Sequence, residues 1–361
     1  FVVHGDTSSY YFNYEPFVLK NNETEYFHEV SLTERLGNYY MSEKVKKLQK
    51  EYRNFMRGKT TNEASYGTTE EKVYYADFSY SNISLVPDKI KVEMLDRKTK
   101  EKKQGIIDAP DLYTYAYVNK VISNGNEVYI VIENIFSDDS FAEDTHRVEW
   151  QIYHYDFANN TSNDPIIIET GEMYAYNNFL TVLTDDDNSP TEIVLAASII
   201  DYKYVDSEQY SETYETEQEF VNVIDLKRIN LKTQEISELK IEDKSLGVPI
   251  AFNGEEIIYV NKGKNELKYM TFHIESKQTT ERITVPFDAQ FLSYWDFYNN
   301  AVTNDYVYTL YNSEASNDVM VIVLDTEKVE FAFMGKIENV NEASLKDLET
   351  TIYFNEIEIV D

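Results

Sequence analysis

Apolar runs recur in pairs along the chain, and each pair follows a turn dipeptide that begins with asparagine. Asn-Gly, Asn-Asn and Asn-Asp dipeptides favour tight turns between strands. The first run of each pair is short and apolar, and the second alternates apolar with polar residues, as a half-buried strand does. The four pairs are Val128 to Ile132 with Trp150 to Asp156, Phe179 to Leu183 with Val221 to Asp225, Ile257 to Val260 with Leu267 to His273, and Tyr306 to Leu310 with Val319 to Asp325. The pattern therefore predicts repeated units of β-strands.

Repeated four-stranded units at a nearly constant spacing indicate a β-propeller, which is a radial array of blades. We predict an all-β fold with a single propeller over residues 70–361. Six blades are expected, or seven if residues 9–35 form more than one closing strand. The strand-like pieces near the chain ends are Ser9 to Phe17, Glu25 to Leu32, Thr351 to Phe354 and Glu356 to Val360. Because the sixth unit stops early, we expect residues 1–35 to pair with it and close the ring, which removes exposed sheet edges.

Residues 36–69 are predicted to form a basic amphipathic helix and a linker, with the linker from Thr60 to Thr69. Ser42 is a suitable N-cap, and Gly58 is a suitable residue just past the helix. One face is apolar, with Met41, Val45, Leu48, Tyr52, Phe55 and Met56. The opposite face is basic, with Lys44, Lys46, Lys47, Lys50, Arg53 and Arg57. This helix either docks on anionic lipid or an acidic partner, or packs across the ring; we favour packing.

Two predicted blades carry long acidic insertions between their second and third strands. These insertions are Ser137 to Arg147 and Asp201 to Glu219. Loops of this length inside a compact blade are uncommon unless they function or move. We expect the second insertion to project from its blade into solvent; a clamp for a basic protein segment is the alternative.

The composition is that of an acidic, strand-rich protein. Among 361 residues there are 65 acidic and 33 basic side chains, so the net charge is −32, and we expect no nucleic acid partner. The chain has no cysteine, which excludes disulfides, thiolate metal sites and a cysteine nucleophile. These features fit a bacterial extracytoplasmic protein, secreted or anchored at the cell surface. Because the chain opens at Phe1 and has no membrane-length apolar run, we expect it to meet the membrane only through an anchor outside this chain. We also expect a monomer.

The predicted blades share a third strand that ends in an acidic residue and a polar turn. The segment Val223 to Leu226, which leads into Leu231 to Gln234, is an example. In this respect the region from Lys72 to Val360 resembles bacterial β-propeller repeat proteins. The resemblance implies a fold and carries no functional residue, because the signatures of WD40 and kelch blades are missing. The one Trp-Asp pair, Trp295 with Asp296, lies in a predicted first strand.

Motifs that would name a reaction are missing from the sequence. With only 11 glycines there is no Gly-x-Ser-x-Gly elbow, dinucleotide fingerprint or phosphate loop. His154 and His273 occupy equivalent third-strand positions, and we interpret them as structural. The acidic run around Asp185 and Asp187 offers oxygen ligands for calcium, but its spacing does not match an EF-hand. We therefore expect no cofactor and no enzyme activity, with a loose calcium site near these two aspartates as the alternative.

Aromatic residues in the predicted first strands are the best candidates for ligand binding. Strands in this position approach the central channel of a propeller, and tyrosine combines a flat apolar body with a polar tip. Packing between blades is an equally good interpretation. The candidates are Tyr113, Tyr115, Tyr117, Tyr174, Tyr176, Tyr294, Trp295 and Asp296. We predict a binding or scaffold module for a protein, peptide or glycan; a carbohydrate-active hydrolase with paired axial carboxylates is the alternative.

Overall fold

The computed structural model describes residues 2–9, 15–20, 23–26, 41–80, 86–110, 112, 115–136, 145–174, 178–183, 191–204, 216–241, 246–262, 266–286, 300–302, 306–313, 318–325, 327–328, 330–337 and 350–358. These residues form 25 β-strands, two short α-helices and one 3-10 helix. The fold is therefore all-β, as the alternation of apolar and polar residues predicts.

The described strands form six antiparallel sheets. Neighbouring strands follow one another along the chain, except where the fifth strand of the second sheet pairs with its third strand and where the two chain ends pair. Sheet 1 contains β4 (Tyr66–Thr68), β5 (Lys72–Tyr80), β6 (Pro87–Asp96) and β7 (Lys102–Asp108). Sheet 2 contains β8 (Tyr115–Asn124), β9 (Glu127–Phe136), β10 (Thr145–Asp156), β11 (Thr161–Ser162) and β12 (Ile166–Tyr174). Sheet 3 contains β13 (Asn178–Val182), β14 (Glu192–Tyr204), β15 (Thr216–Asn230) and β16 (Ile236–Glu238).

The other three sheets follow the same plan. Sheet 4 contains β17 (Val248–Phe252), β18 (Glu256–Lys262), β19 (Glu266–His273) and β20 (Gln278–Pro286). Sheet 5 contains β21 (Asn300–Val302), β22 (Tyr306–Ser313), β23 (Asp318–Asp325) and β24 (Glu330–Ile337). Sheet 6 joins the chain ends in the order β25 (Thr350–Glu358), β1 (Val2–Ser9), β2 (Glu15–Lys20) and β3 (Glu23–Tyr26).

The chain ends pair directly, because β25 runs antiparallel to β1 from Val2 opposite Glu358 to Ser9 opposite Thr350. The sequence predicts this shared sheet but misplaces its strands. The C-terminal piece is one continuous strand instead of two, and the N-terminal strands begin earlier than predicted. A bulge after His4 lets the long pairing continue past an irregular point. Alternation of apolar and polar residues locates a strand only where one face of the strand is apolar. In these end segments both faces contain apolar and polar residues, so the alternation does not mark where the strands begin and end.

The chain divides into two compact units, one from Tyr52 to Lys244 and the other from Phe1 to Glu51 together with Ser245 to Asp361. Sheets 1 to 3 lie in the first unit, and sheets 4 to 6 lie in the second. In the first unit, sheets 1 and 2 share a buried core that includes Tyr74, Ile90, Val92, Ile130, Ile132 and Tyr153. Sheets 2 and 3 share another, with Val131, Trp150, Ile168, Ile193, Leu195 and Ile229. Each face of sheet 2 is therefore a core.

Two glycines allow sheets 1 and 2 to approach closely. A Cβ atom added to Gly67 on β4 would lie 2.8 Å from the backbone oxygen of Val121 on β8. A Cβ atom added to Gly105 on β7 would overlap the ring of Tyr155 on β10. The two sheets are therefore in contact between their first strands and also between β7 and β10.

The predicted helix is present but is broken in two. Helix α1 (Glu43–Glu51) is followed by Tyr52, which has φ −127° and ψ 45°, and then by α2 (Arg53–Met56). Ser42 caps α1, because its Oγ accepts a hydrogen bond from the amide of Val45 at 3.3 Å. Gly58 has φ +76°, which favours glycine. Most of the predicted face assignments are confirmed: the apolar residues Met41, Val45, Leu48, Phe55 and Met56 are buried, and the basic residues Lys47, Lys50, Arg53 and Arg57 are exposed. Tyr52, Lys44 and Lys46 are half-buried.

Three regions differ from the predicted strand boundaries. The predicted linker contains a 3-10 helix, Glu63–Ser65, and β4, which is only three residues long and too short to show alternation. The run from Phe179 lies in β13, the first strand of sheet 3 and not the second. The acidic insertion from Asp201 continues the β14–β15 hairpin as far as Tyr204 opposite Thr216.

The residue that ends the third strand in each of sheets 1 to 5 is a turn acceptor, and it is acidic in sheets 1, 2 and 5. Asp96 Oδ1 accepts hydrogen bonds from the amides of Lys98 and Thr99, at 3.0 and 2.7 Å. Equivalent side-chain acceptors are Asp156, Asn230, His273 and Asp325. In sheet 3 this acceptor is Asn230 and not the predicted Asp225, because β15 continues past Asp225. Four of these turns place a residue with positive φ four positions later, at Lys100, Asn160, Gln234 and Lys277. The repeated sequence pattern is thus the pattern of a repeated hairpin turn.

Candidate functional site

The structure places three of the predicted ligand-binding aromatics on strands. Tyr115 and Tyr117 lie on β8, the first strand of sheet 2, as predicted. Tyr174 is the last residue of β12 and pairs opposite Thr145 on β10, so it belongs to an outer strand and not to a first strand. The remaining candidates lie outside the described residues: Tyr113, Tyr176, Tyr294, Trp295 and Asp296.

Tyr117 combines an exposed ring with polar neighbours. Its side chain is 55% exposed, which makes it one of the most exposed large hydrophobic residues of the described chain. It lies opposite Glu133 on β9, which in turn lies opposite Trp150 on β10, so these three side chains share one face of sheet 2. This row runs from an exposed ring to a fully buried one.

Glu133 is the unusual carboxyl group in this row. Burial raises its pKa, and a hydrogen bond with the Asn119 side chain opposes that rise in part. Beside it, the Trp150 indole nitrogen is buried without a hydrogen-bond partner among the described residues. A carboxyl group that holds its proton to a higher pH can donate a hydrogen bond or a proton. The row can therefore offer a ligand an aromatic surface, an amide and a carboxyl group.

A second arrangement forms a cleft of about 290 Å³ on sheet 1, on the face opposite the core shared with sheet 2. The segment from Asn54 to Lys59 forms one wall, and strands β5, β6 and β7 form the other. Its charged lining residues are Arg57, Lys59, Lys91, Lys102, Asp77 and Glu93. The cleft is thus locally cationic on a strongly acidic protein.

An ion pair between Lys59 and Glu93 forms the base of this cleft. The Lys59 Nζ lies 2.6 Å from Glu93 Oε2, and the two side chains are only 6% and 11% exposed. Burial lowers the pKa of Lys59 although Glu93 opposes the change. Burial also acts to raise the pKa of Glu93, but hydrogen bonds from Lys59 and Lys91 outweigh it and hold the pKa below its ordinary value. The pair is thus a buried, hydrogen-bonded contact between the segment after α2 and strand β6.

Lys59 has further partners that fix its position. It donates a hydrogen bond to the Phe55 carbonyl oxygen at 2.6 Å, and its ammonium group lies 4.1 Å from the centre of the Phe55 ring. The Tyr75 ring centre is 4.8 Å away. A lysine that is buried, paired and enclosed by aromatic rings is a structural anchor for the segment after α2.

Tyrosines extend the polar contacts along the same face. The Tyr75 hydroxyl donates to Asp77 Oδ2 at 2.8 Å and accepts from the Thr60 amide at 3.3 Å. The Tyr66 hydroxyl donates to the Thr60 carbonyl oxygen at 2.6 Å. Burial raises the pKa of both tyrosines far above the ordinary value, so they remain neutral donors. The predicted linker is therefore held to sheet 1 through its backbone.

Sequence reasoning did not find this cleft. Lys59 and Glu93 are 34 positions apart in the chain, and each looks like one of many charged residues. The available signal was local: Lys59 follows Gly58 at a helix end, and Glu93 interrupts the apolar residues of β6. Only the pairing of the segment with the sheet brings the two together.

The histidines and acidic clusters add no metal site within the described residues. No group of three or more His, Asp or Glu side chains in that part of the chain is arranged to hold an ion. Asp185 and Asp187 lie outside the described residues. His154 packs on the Tyr129 ring with centroids 4.8 Å apart, and burial lowers its pKa. Its environment is that of a packed side chain.

No described helix is long and apolar enough to cross a bilayer.

Comparison with protein-family models gives no match, and comparison with curated proteins gives none either. Among solved structures, the chain is similar to the β-propeller domain of the Trilobed protease from Pyrococcus furiosus, with 12% identity and a TM-score of 0.36, covering 94% of this chain and 80% of that one. It is also similar to TolB from Acinetobacter baumannii, with 9% identity and a TM-score of 0.28, covering 72% and 68%. An uncharacterized protein from Listeria monocytogenes EGD-e has 7% identity and a TM-score of 0.38, covering 76% and 67%. At the level of the fold, the chain resembles β-propeller proteins.

Proposed function

We propose that this protein is an extracytoplasmic, membrane-tethered binding or scaffold module that recognises a protein, peptide or glycan through one face of a β-propeller. In this proposal the six described sheets are six blades, and sheet 6 closes the ring because it is built from both chain ends. The location outside the cytoplasm is supported by the cysteine-free, acidic sequence. In this proposal the module acts as a monomer.

The exposed Tyr117 ring beside Glu133 and Asn119 is the observation that carries this proposal. An isolated exposed tyrosine needs no explanation. Here the tyrosine lies on the first strand of its sheet, and Glu133 and Asn119, which are hydrogen-bonded to each other, lie next to it. Stacking on an aromatic ring together with hydrogen bonds from an amide and a carboxyl group is a common way to bind sugars and peptides.

The test compares Tyr117→Ala with Phe333→Ala. Phe333 is a matched control, since it is 51% exposed but lies on β24, the last strand of sheet 5. Binding is measured by calorimetry with cellohexaose, chitohexaose and peptides selected from a random 12-residue display library. We expect Tyr117→Ala to weaken binding about tenfold or more, as a central aromatic contact does. Loss of binding in the control alone, or no saturable binding to any probe, would contradict the proposal.

The raised pKa of Glu133 favours one alternative, a carbohydrate-active hydrolase in which this carboxyl group is the general acid. Such an enzyme needs a second carboxylate across the bond to be broken. The two functions differ in one measurement. A hydrolase releases reducing ends from the same hexasaccharides and loses this activity in Glu133→Gln, whereas a binding module releases none and binds as before or more weakly.

A further inference from the structure

The cleft on sheet 1 has more cationic groups than its own carboxylates neutralise. Its charged lining comprises four cations and two carboxylates: Arg57, Lys59, Lys91 and Lys102, with Asp77 and Glu93. Lys59 and Glu93 neutralise each other at the base of the cleft. Arg57, Lys91 and Lys102 then face one remaining carboxylate, that of Asp77.

The three cations outside the basal ion pair, Arg57, Lys91 and Lys102, keep hydrogen-bond donors available. Lys91 is 50% exposed and uses one donor on Glu93, and Lys102 uses one on the Asn54 carbonyl oxygen at 2.9 Å. An ammonium group has three donors and a guanidinium group has five. Arg57 is exposed, and its side chain has no described hydrogen bond or ion pair. Unused N–H donors on three cations therefore line one cleft.

The ion pair at the base holds neighbouring side chains of the cleft in place. Glu93 receives both Lys59 and Lys91, so it fixes the Lys91 side chain as well as the base. The Asp77 carboxylate is already occupied by the Tyr75 hydroxyl and the amide of Phe78. With Glu93 and Asp77 engaged by the protein, the cleft presents mainly donors to an incoming molecule.

We propose that this cleft binds a small molecule through an oxyanion, a carboxylate or phosphate group, held by Arg57, Lys91 and Lys102. Charge-assisted hydrogen bonds to such groups are among the strongest in proteins, and arginine matches their planar geometry. The volume of about 290 Å³ suits a small metabolite-sized ligand and not a polymer. This site is separate from the Tyr117 surface, and it holds or fails independently of the proposed function.

The test is calorimetric titration of the full chain at low ionic strength with succinate, inorganic phosphate and neutral succinamide. We expect saturable binding of succinate, phosphate or both, and none of succinamide, with the tighter probe distinguishing a carboxylate from a phosphoryl ligand. Added salt weakens this binding, because it screens exposed charges. Equal binding of succinamide and succinate, or no binding of either oxyanion, overturns the proposal.

Variants locate the binding. Arg57→Gln with Lys102→Gln is expected to lower the affinity about tenfold or more, as loss of charge-assisted hydrogen bonds does. The matched control, Lys47→Gln with Lys50→Gln, removes two exposed cations of α1 that do not line the cleft, and it should leave binding unchanged. If the first variant melts at a lower temperature, Arg57→Gln alone replaces it, since that side chain is exposed. Unchanged affinity in the cleft variants overturns the proposal.

Discussion

At the scale of single residues, the pair of Lys59 and Glu93 shows how one contact fastens an irregular segment to a sheet. Charges taken out of water are stable only when their partners compensate for lost hydration. Here the ammonium group has a carboxylate, a carbonyl oxygen and two rings, and the carboxylate has two lysines. The pair therefore specifies where the chain after α2 lies on sheet 1.

Removing the charge of Glu93 should destabilise the protein more than removing either lysine. Glu93→Gln leaves Lys59 buried beside a neutral amide, and we expect a loss of about 3 kcal/mol in the free energy of unfolding. Lys59→Met should cost less, because Glu93 retains Lys91. The measurement is urea unfolding, combined with the double variant in a mutant cycle.

Lys91→Met is the control for this cycle. Lys91 contacts the same carboxylate but is half exposed, so it should cost at most about 1 kcal/mol. Strictly additive effects of Lys59→Met and Glu93→Gln would show that the buried pair does not act as a unit.

At the scale of elements, the hairpin turn after the third strand of each of sheets 1 to 5 depends on one side-chain acceptor. In sheet 2, the amides of Ala158 and Asn159 and the Asn159 side chain donate to Asp156, and the amide of Ala158 is the main cause that lowers the Asp156 pKa. In sheet 3, Asn230 accepts equivalent amide bonds without a charge. The protein therefore contains both a titrating and a neutral form of the same turn.

Asp156→Asn should reduce the dependence of stability on pH in acid. A carboxyl group whose pKa is lowered by folding contributes stability above its unfolded pKa of about 3.9, and this contribution is lost as the pH falls through the folded pKa. Asparagine keeps the acceptor but does not titrate. Melting temperatures between pH 2.5 and 7 should thus fall less steeply for the variant.

Asn230→Asp provides the reverse change in the neutral turn, and it should steepen the acid dependence. Asn230→Ala removes the acceptor altogether and should cost about 1 kcal/mol at neutral pH, as loss of a capping side chain does. Identical pH profiles for the wild type, Asp156→Asn and Asn230→Asp would contradict the role of these side chains.

In helix α1, the contribution of buried apolar residues to stability can be measured separately from that of exposed charges. Leu48 is buried, so Leu48→Ala should lower the free energy of unfolding by about 2 to 5 kcal/mol. Lys47 and Lys50 are exposed, so Lys47→Gln with Lys50→Gln should leave the melting temperature nearly unchanged. Co-sedimentation with acidic vesicles distinguishes the alternative. Salt-sensitive binding of the wild type that the lysine variant loses would show that the helix docks on anionic lipid.

At the scale of the whole molecule, sheet 6 is held by both ends of the chain. Its strands β1 and β25 are neighbours in space although almost the whole sequence separates them. Cross-linking residues so far apart restricts the unfolded chain strongly. The chain offers a clean background for this test, since it has no cysteine.

A disulfide between β1 and β25 should raise the melting temperature in oxidising conditions, and a reductant should abolish the gain. The pairs to replace with cysteine are Asp6 with Tyr353 and Thr7 with Ile352. Both are tested, because successive antiparallel pairs alternate between narrow and wide spacing. Single-cysteine variants are the controls. If neither pair forms a disulfide under oxidising conditions, the ends do not pair as described.

The sequence by itself determined the strand content, the second and third strands of most units, the turns and the two faces of the helix. These features depend on neighbours within a few positions: alternation along β9 or β19, asparagine before a turn, and apolar residues three and four apart. The sharing of one sheet by the chain ends also followed, because an incomplete last unit and spare N-terminal strands require each other.

Tertiary structure alone decided the rest. The three residues of β4 are too few to show a period. Tyr174 ends β12, whose polar residues from Glu169 to Glu172 give no sign that the strand continues this far. The break at Tyr52 leaves no mark in the helical pattern. Above all, the cleft depends on the meeting of Lys59 with Glu93, which are distant in the chain and chemically ordinary alone. Burial and register give such residues their properties, and both exist only once the sheets have packed.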